Sequence, residues 1–545
     1  RRDSPLPLGE GPGVRETTTY TRPTLLSRAA DYFRQARQPR ASWRTLDDLT
    51  PQLAEFELRC QAGDYDTAAN VLTDIDFHYL LLWGHYRLMI QMHEGLQGKI
   101  QDTTLSRISV GNLGSAYYSI GQYTDAISSW EQALESAREL EDRNHEGAVM
   151  GNLGIAYAAL GETRRAIEYY EQALAIAREI GDKRNEGNWL GNLGLAYAAL
   201  GETRRAIEYH EQARAISREI GDKRGEGSDL GNLGNRYAAL GETHRAIEYY
   251  QDALAISREI GDKRGEGSIL GNLGNRHAEL GETRRAIEYH EQALAISREI
   301  GDKRNEGNWL GNLGNRYTEL GEIQQAQAYF QQALTIHREI GDRRAESIIL
   351  ENIGHLLLDQ ERWEEAEEHF QDAITIADEI SFPVEQTQAR WGLSLTYLYT
   401  DELKEARSIA KDACQYDVPQ YAHNAELALG IIALRQGDHA AAASAFQAAV
   451  EHAEALLAKT PNYYQALDAK GLALCGLALL SQTSEVSEDF GSLKDAARDA
   501  FAQARAITTA PGIVGRVARL FEALAQADEE GVLEGMRAAI EGEGE

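Results

Sequence analysis

The side chains best placed for chemistry recur at a fixed interval. Asn235, Asn275 and Asn315 stand 40 residues apart, and each is followed by an arginine: Arg236, Arg276 and Arg316. An amide offers a donor and an acceptor together, while a guanidinium offers a fork of donors suited to a carboxylate. On successive helices the two types would form a ladder for an extended acidic or polar peptide, with Trp189 and Trp309 as aromatic anchors. Asn188 and Asn308 belong to a column seven residues earlier, and so share the same helical face. The same residue types could equally solvate a polar face or bond between neighbouring segments.

The expected chemistry is recognition and not bond making. The chain has no Gly-x4-Gly-Lys-Ser/Thr, no His-Glu-x2-His, no Cys-x2-Cys and no Gly-x-Ser-x-Gly. Carboxylate pairs such as Glu364-Glu365 and Glu367-Glu368 are expected as surface charge. His210 and His290 occupy the slot that Tyr170, Tyr250, Phe330 and Phe370 fill elsewhere, so they are expected in the core and not on a metal. No catalytic residue, metal ligand or cofactor is expected.

The elements that position these side chains are repeats. Gly-Asn-Leu-Gly opens at Gly111, Gly151, Gly191, Gly231, Gly271 and Gly311, and returns, degraded, as Glu-Asn-Ile-Gly at Glu351. Within Gly181 to Ile220, Asp182 can cap a first helix, helix A, whose apolar face runs through Leu190, Leu193, Gly194 and Tyr197. Gly201 supplies the turn, and helix B runs from about Thr203 through Ala206, Ile207, His210, Ala213 and Ile216 until Gly221. Two such helices cannot bury their apolar faces alone, whereas stacked copies build one continuous core. Repeats 151 to 350 are so alike that solvent-facing positions coincide, such as Arg204 and Arg205 with Arg284 and Arg285; the simplest account is recent duplication.

The 545 residues carry 86 acidic and 55 basic side chains, a net charge of −31. That balance argues against nucleic-acid binding, which rests on clustered Lys and Arg. Cys60, Cys414 and Cys475 are too far apart in sequence for a disulfide framework, which fits a reducing cytoplasm. The most apolar stretch, Ala466 to Leu480, contains Asp468 and Lys470 and is expected as a buried helix, not a membrane span.

Along the chain, 1–22 is expected as a linker rich in Pro and Gly. A helical connector and N-terminal cap with a divergent repeat should follow over 23–110, then the regular array over 111–390. Divergent helical repeats and a C-terminal cap should occupy 391–545, with a polar insert at 481–492. The start at Arg1 suggests that an upstream part is missing.

The repeat resembles the tetratricopeptide repeat, whose pattern is W-x2-L-G-x2-Y, then A-x3-F, then an alanine and a proline. Leu190 stands in the tryptophan slot; Leu193, Gly194 and Tyr197 match; Ala206-x3-His210 and Ala213 follow; Arg218 replaces the proline. The 40-residue form is similar to that of partner-of-Inscuteable-type adaptors. The resemblance implies an all-α fold, a right-handed α-solenoid superhelix of helix-turn-helix repeats. It also implies that the helix-A face carrying the Asn and Arg columns lines a concave groove for a protein or peptide ligand, and near-identical repeats could also self-associate. The segment Leu25 to Lys99 resembles the connector before the repeats of bacterial NLR-like (STAND) NTPases. By that resemblance the array would be the sensor of such a signalling or defence protein; the alternative is a free-standing scaffold.

Overall fold

The computed structural model describes residues 21–416, 418–481 and 489–542. The chain forms two compact units, Arg1–Ile216 and Ser217–Glu545. Within each, antiparallel helix pairs stack one on the next, an all-α solenoid architecture. The linker expected over 1–22 falls almost wholly outside the described residues, as does most of the insert at 481–492.

The repeats form because each junction is specified locally. Asp182, Asp262, Asp302 and Asp342 each accept a hydrogen bond from the backbone amide three residues on, at 3.0 to 3.2 Å. This satisfies one of the free amides at the start of helix A. At the A–B turn Gly201 sits at φ +77°, a conformation that glycine adopts without steric cost. The resulting pairs include Lys183–Ala199 with Thr203–Glu219, Lys263–Glu279 with Thr283–Ile300, and Lys303–Glu319 with Ile323–Glu339.

The second glycine of Gly-Asn-Leu-Gly is needed for close packing inside a pair. A Cβ on Gly234 would lie 2.7 Å from the Tyr250 ring, and one on Gly274 would lie 2.6 Å from the His290 ring. His290 is fully buried, and burial pushes its pKa down to about 3, so it is a neutral core residue. His210 is equally buried, against Gly194.

Successive repeats are joined by ion pairs between a buried glutamate and half-exposed cations. Glu266 is held by Arg258 at 2.8 Å and Lys263 at 3.1 Å, and Glu306 by Arg298 at 3.0 Å and Lys303 at 2.7 Å. Burial alone would raise these carboxyls, but the paired cations hold both below the ordinary value. In some repeats the second of the coinciding arginines also has a structural task. Arg205 lies 4.1 Å from the Tyr197 ring, which stacks on Tyr209, and Arg245 lies 4.0 Å from Tyr237, which stacks on Tyr249. Their identity in different copies therefore has a packing cause besides duplication.

At the N-terminal end, helices Thr50–Ala62 and Tyr65–Thr73 turn at Gly63, and Trp43, Leu49, Leu72, Leu80 and Met89 form a core that reaches Leu113 of the first regular repeat. In the Ser217–Glu545 unit the last helices return to the array. Pro511–Ala525 packs on Lys303–Glu319, on Ala422–Arg435 and on Tyr464–Leu480. A Cβ on Gly512 would stand 2.0 Å from the carbonyl oxygen of Thr318, so backbone meets backbone there. Arg516 and Arg519 both reach Asp359. Tyr464–Leu480 is buried along nearly its whole length, with Asp468 bonded to Arg505 at 2.5 and 2.6 Å. No helix among the described residues is long and apolar enough to cross a membrane.

Candidate functional site

Asn235, Asn275 and Asn315, with Arg236, Arg276 and Arg316, are half-buried on one face of three successive A helices in the Ser217–Glu545 unit. Their surroundings differ. Tyr250 donates its hydroxyl to Asn235 Oδ1 at 2.7 Å, and Asn312 donates to Asn275 Oδ1 at 3.3 Å. Arg276 pairs with Glu279 at 2.6 Å and Arg316 with Glu319 at 2.9 Å. At Arg236 the residue one turn on is Ala239, and no carboxylate pairs with its guanidinium among the described residues. Burial holds the Arg236 pKa below its ordinary value. An unpaired, half-buried cation beside Asn235, whose NH2 group has no described partner, is the part of the ladder best prepared for an acidic or polar ligand.

The tryptophans occupy a different environment from the expected one. Trp189 is 6% exposed and Trp309 is 8% exposed. The Trp309 indole lies over Gly271, where a Cβ would approach within 2.1 Å, and stacks on His290 with centroids 6.0 Å apart. Trp189 lies over Gly151 and stacks on Tyr170 in the same way within the Arg1–Ile216 unit. Both fill space between repeats, so neither presents a free aromatic face; the first glycine of Gly-Asn-Leu-Gly is what admits them. Asn188 is exposed and 3.5 Å from Asn185, while Asn308 is half-buried.

Asn315 and Arg316 also belong to an inner chamber of about 290 Å³. Its wall comes from helices Lys303–Glu319, Arg343–Leu358, Pro383–Tyr399, Ala422–Arg435, Tyr464–Leu480 and Pro511–Ala525, and it is partly open to solvent. Sequence reasoning missed Glu351, Asn352, His355 and Trp391 on this wall. It also passed over the constant asparagine of Gly-Asn-Leu-Gly, half-buried at Asn232, Asn272 and Asn312 and on the chamber wall at Asn352. A polar residue kept in an apolar motif was the available signal.

Burial dominates the titration of this wall. Glu351 is pushed up to about 8, with nearby Glu385 adding to the rise, and His355 is pushed down to about 3 by burial and by Arg516. Glu351 lies above its ordinary 4.5, so its contribution to stability is full below that value and is lost as pH rises through about 8. His355 lies below its ordinary 6.5, so its contribution is present above that value and lost as pH falls through about 3. In urea titrations at pH 5 and pH 8, Glu351→Gln should remove roughly 3 kcal/mol of the wild-type decline between the two. An identical decline in the variant would show that Glu351 is solvated.

The tetratricopeptide repeat family matches residues 104–179, 165–219, 185–259, 228–299, 265–339 and 345–417. These segments cover more than half of the chain, which therefore belongs to that family. Among solved structures, the chain is similar to BtubC of P. vanneervenii (27% identity, TM-score 0.37, covering 39% of this chain and 91% of that one). It is also similar to a STAND protein with a tetratricopeptide repeat sensor from Pyrococcus horikoshii (17% identity, TM-score 0.42, covering 74% of this chain). The chain spans only 54% of that protein. The quorum sensor NprR of B. thuringiensis, in its apo form, matches at 17% identity and TM-score 0.42, covering 65% of this chain and 99% of that one. No curated protein matches the chain.

Proposed function

We propose that this chain binds a protein or peptide ligand on the helix-A face of its repeats and serves as the sensor part of a bacterial NLR-like (STAND) NTPase. A tetratricopeptide array is a protein-interaction module, and the observation that carries the choice of face is Arg236. It is a cation without a carboxylate partner among the described residues, beside an asparagine whose NH2 group has no partner among them either, on the face where Asn275 and Asn315 follow. The sensor role rests on the resemblance of Leu25 to Lys99 to the connector of such proteins. No catalytic role is assigned to the chain.

The test is the affinity of an acidic peptide selected on the full chain from a random library. Replacing Asn235, Asn275 and Asn315 together by alanine should weaken binding at least about 30-fold, from two or three lost hydrogen bonds of about 1 kcal/mol each. Tyr250→Phe removes the internal bond to Asn235 without touching the asparagine, and should leave affinity within about threefold. Unchanged affinity in the triple variant, with helicity intact, would remove the proposed face.

A further inference from the structure

Glu351 stands where Gly271 and Gly311 stand in the regular repeats, so its carboxylate enters a position normally left without a side chain. The next repeat permits this. Where Trp309 covers Gly271, the residue that follows Glu351 by the same interval is the small Ala389. The Glu351 side chain is only 7% exposed and faces the chamber. Among the described residues the one titratable side chain paired with it within 4 Å is His355, at 3.8 Å, and burial keeps that imidazole neutral at ordinary pH.

The other charges around it are already committed. Arg316 is held by Glu319 at 2.9 Å, and Arg516 reaches Asp359 at 3.3 Å. Asp468 is held by Arg505 at 2.5 Å, and Glu385 by Arg344 at 2.8 Å. Glu351 is thus a buried carboxyl without its own cation. A buried charge lacking a partner is costly, so a ligand that supplied one would gain an interaction the empty protein lacks. Trp391, Tyr421 and Tyr463 line the same pocket, and aromatic rings of this kind attract cations; the Trp391 ring also meets His355, centroids 5.0 Å apart. A pocket of about 290 Å³ lies just under the usual range for small-molecule sites, about 300 to 1,000 Å³, and so suits only a small ligand.

We propose that this chamber binds a small organic cation, an alkylammonium or a guanidinium, against the Glu351 carboxylate and the rings of Trp391, Tyr421 and Tyr463. The cation displaces the proton that burial otherwise keeps on Glu351, and the neutral His355 beside it neither competes for the carboxylate nor repels the ligand. Asn315 is common to the chamber and the ladder, but Asn235 and Arg236 lie outside the chamber wall. Either site can therefore fail alone.

The test is titration calorimetry on the full chain with three probes: agmatine, the blocked tripeptide acetyl-Gly-Arg-Gly-amide, and succinate. Agmatine should bind saturably at pH 8 and more weakly at pH 6, where the carboxyl retains its proton; succinate should not bind. Glu351→Gln, nearly isosteric, should weaken agmatine about tenfold or more and abolish the pH dependence, while Glu351→Asp should keep part of both. Binding by the tripeptide as well would support the site and identify its cation as a peptide side chain; binding by agmatine alone would identify a free amine. Failure of both cations to bind the wild-type chain, or equal binding by folded Glu351→Gln, would overturn the proposal.

Discussion

Trp309→Ala should lower the unfolding free energy of the Ser217–Glu545 unit by about 3–5 kcal/mol, the usual cost of deleting a buried tryptophan. The indole is 8% exposed and fills the space above Gly271. A residue that served only as a ligand anchor would behave in the opposite way, costing affinity and little stability. The partner substitution sharpens the test. Gly271→Ala brings a Cβ to 2.1 Å from the ring, so it should destabilise the wild-type chain and cost much less in a Trp309→Leu background. Urea unfolding followed by far-ultraviolet circular dichroism gives all four corners of that cycle. A loss below about 1 kcal/mol for Trp309→Ala would place the indole at the surface.

The second large effect is expected in the divergent C-terminal region. Phe446 is fully buried between two helices, with Cβ positions built on Gly430 and Gly476 lying 2.6 and 2.4 Å from its ring. Phe446→Ala should cost about 3–5 kcal/mol, because two glycine backbones cannot collapse into the space that remains. Its consequence reaches the chamber, since Gly476 belongs to Tyr464–Leu480, a helix that forms part of the wall. The variant should therefore lose both the cooperative unfolding transition of that region and agmatine binding. Retention of wild-type unfolding would contradict this packing.

Phe446, with Phe501 in the next helix pair, shows what the sequence could disclose. Ala442-x3-Phe446 and Ala497-x3-Phe501 keep the A-x3-F spacing of the regular repeats, and a glycine lies beneath each ring, at Gly430 and Gly471. Local rules such as the Asp caps, the turn glycines and the aromatic-over-glycine contact are written within one repeat, so the helix pairs of the regular repeats were legible to within a residue or two, whereas the boundary expected at 390–391 falls inside the helix Pro383–Tyr399. Contacts between distant segments were not. Nothing near Thr318 or Asp359 announces that Gly512, Arg516 and Arg519 will rest on them, because the pairing depends on how the stacked repeats curve.

The candidate site was legible in part for the same reason. The Asn and Arg positions were visible as a recurrence every 40 residues, but Trp189 and Trp309, expected beside them as anchors, serve packing. By sequence Glu351 reads as decay of the Gly-Asn-Leu-Gly motif, whereas a carboxylate replacing a core glycine changes the chemistry of the wall it faces. Comparison between repeats shows where change was accepted; whether it serves a neighbour or a ligand depends on the residue 38 positions on, as with Gly271 and Trp309.

The most direct measurement of the ligand face is photo-crosslinking with benzoylphenylalanine placed in turn at Ser228 and Ser268 on helix A, and at Glu248 and Glu288, exposed on helix B. With the selected acidic peptide bound, Ser228 and Ser268 should give adducts, and Glu248 and Glu288 should give none. Adducts confined to the helix-B positions would contradict the assignment of ligand binding to the helix-A face.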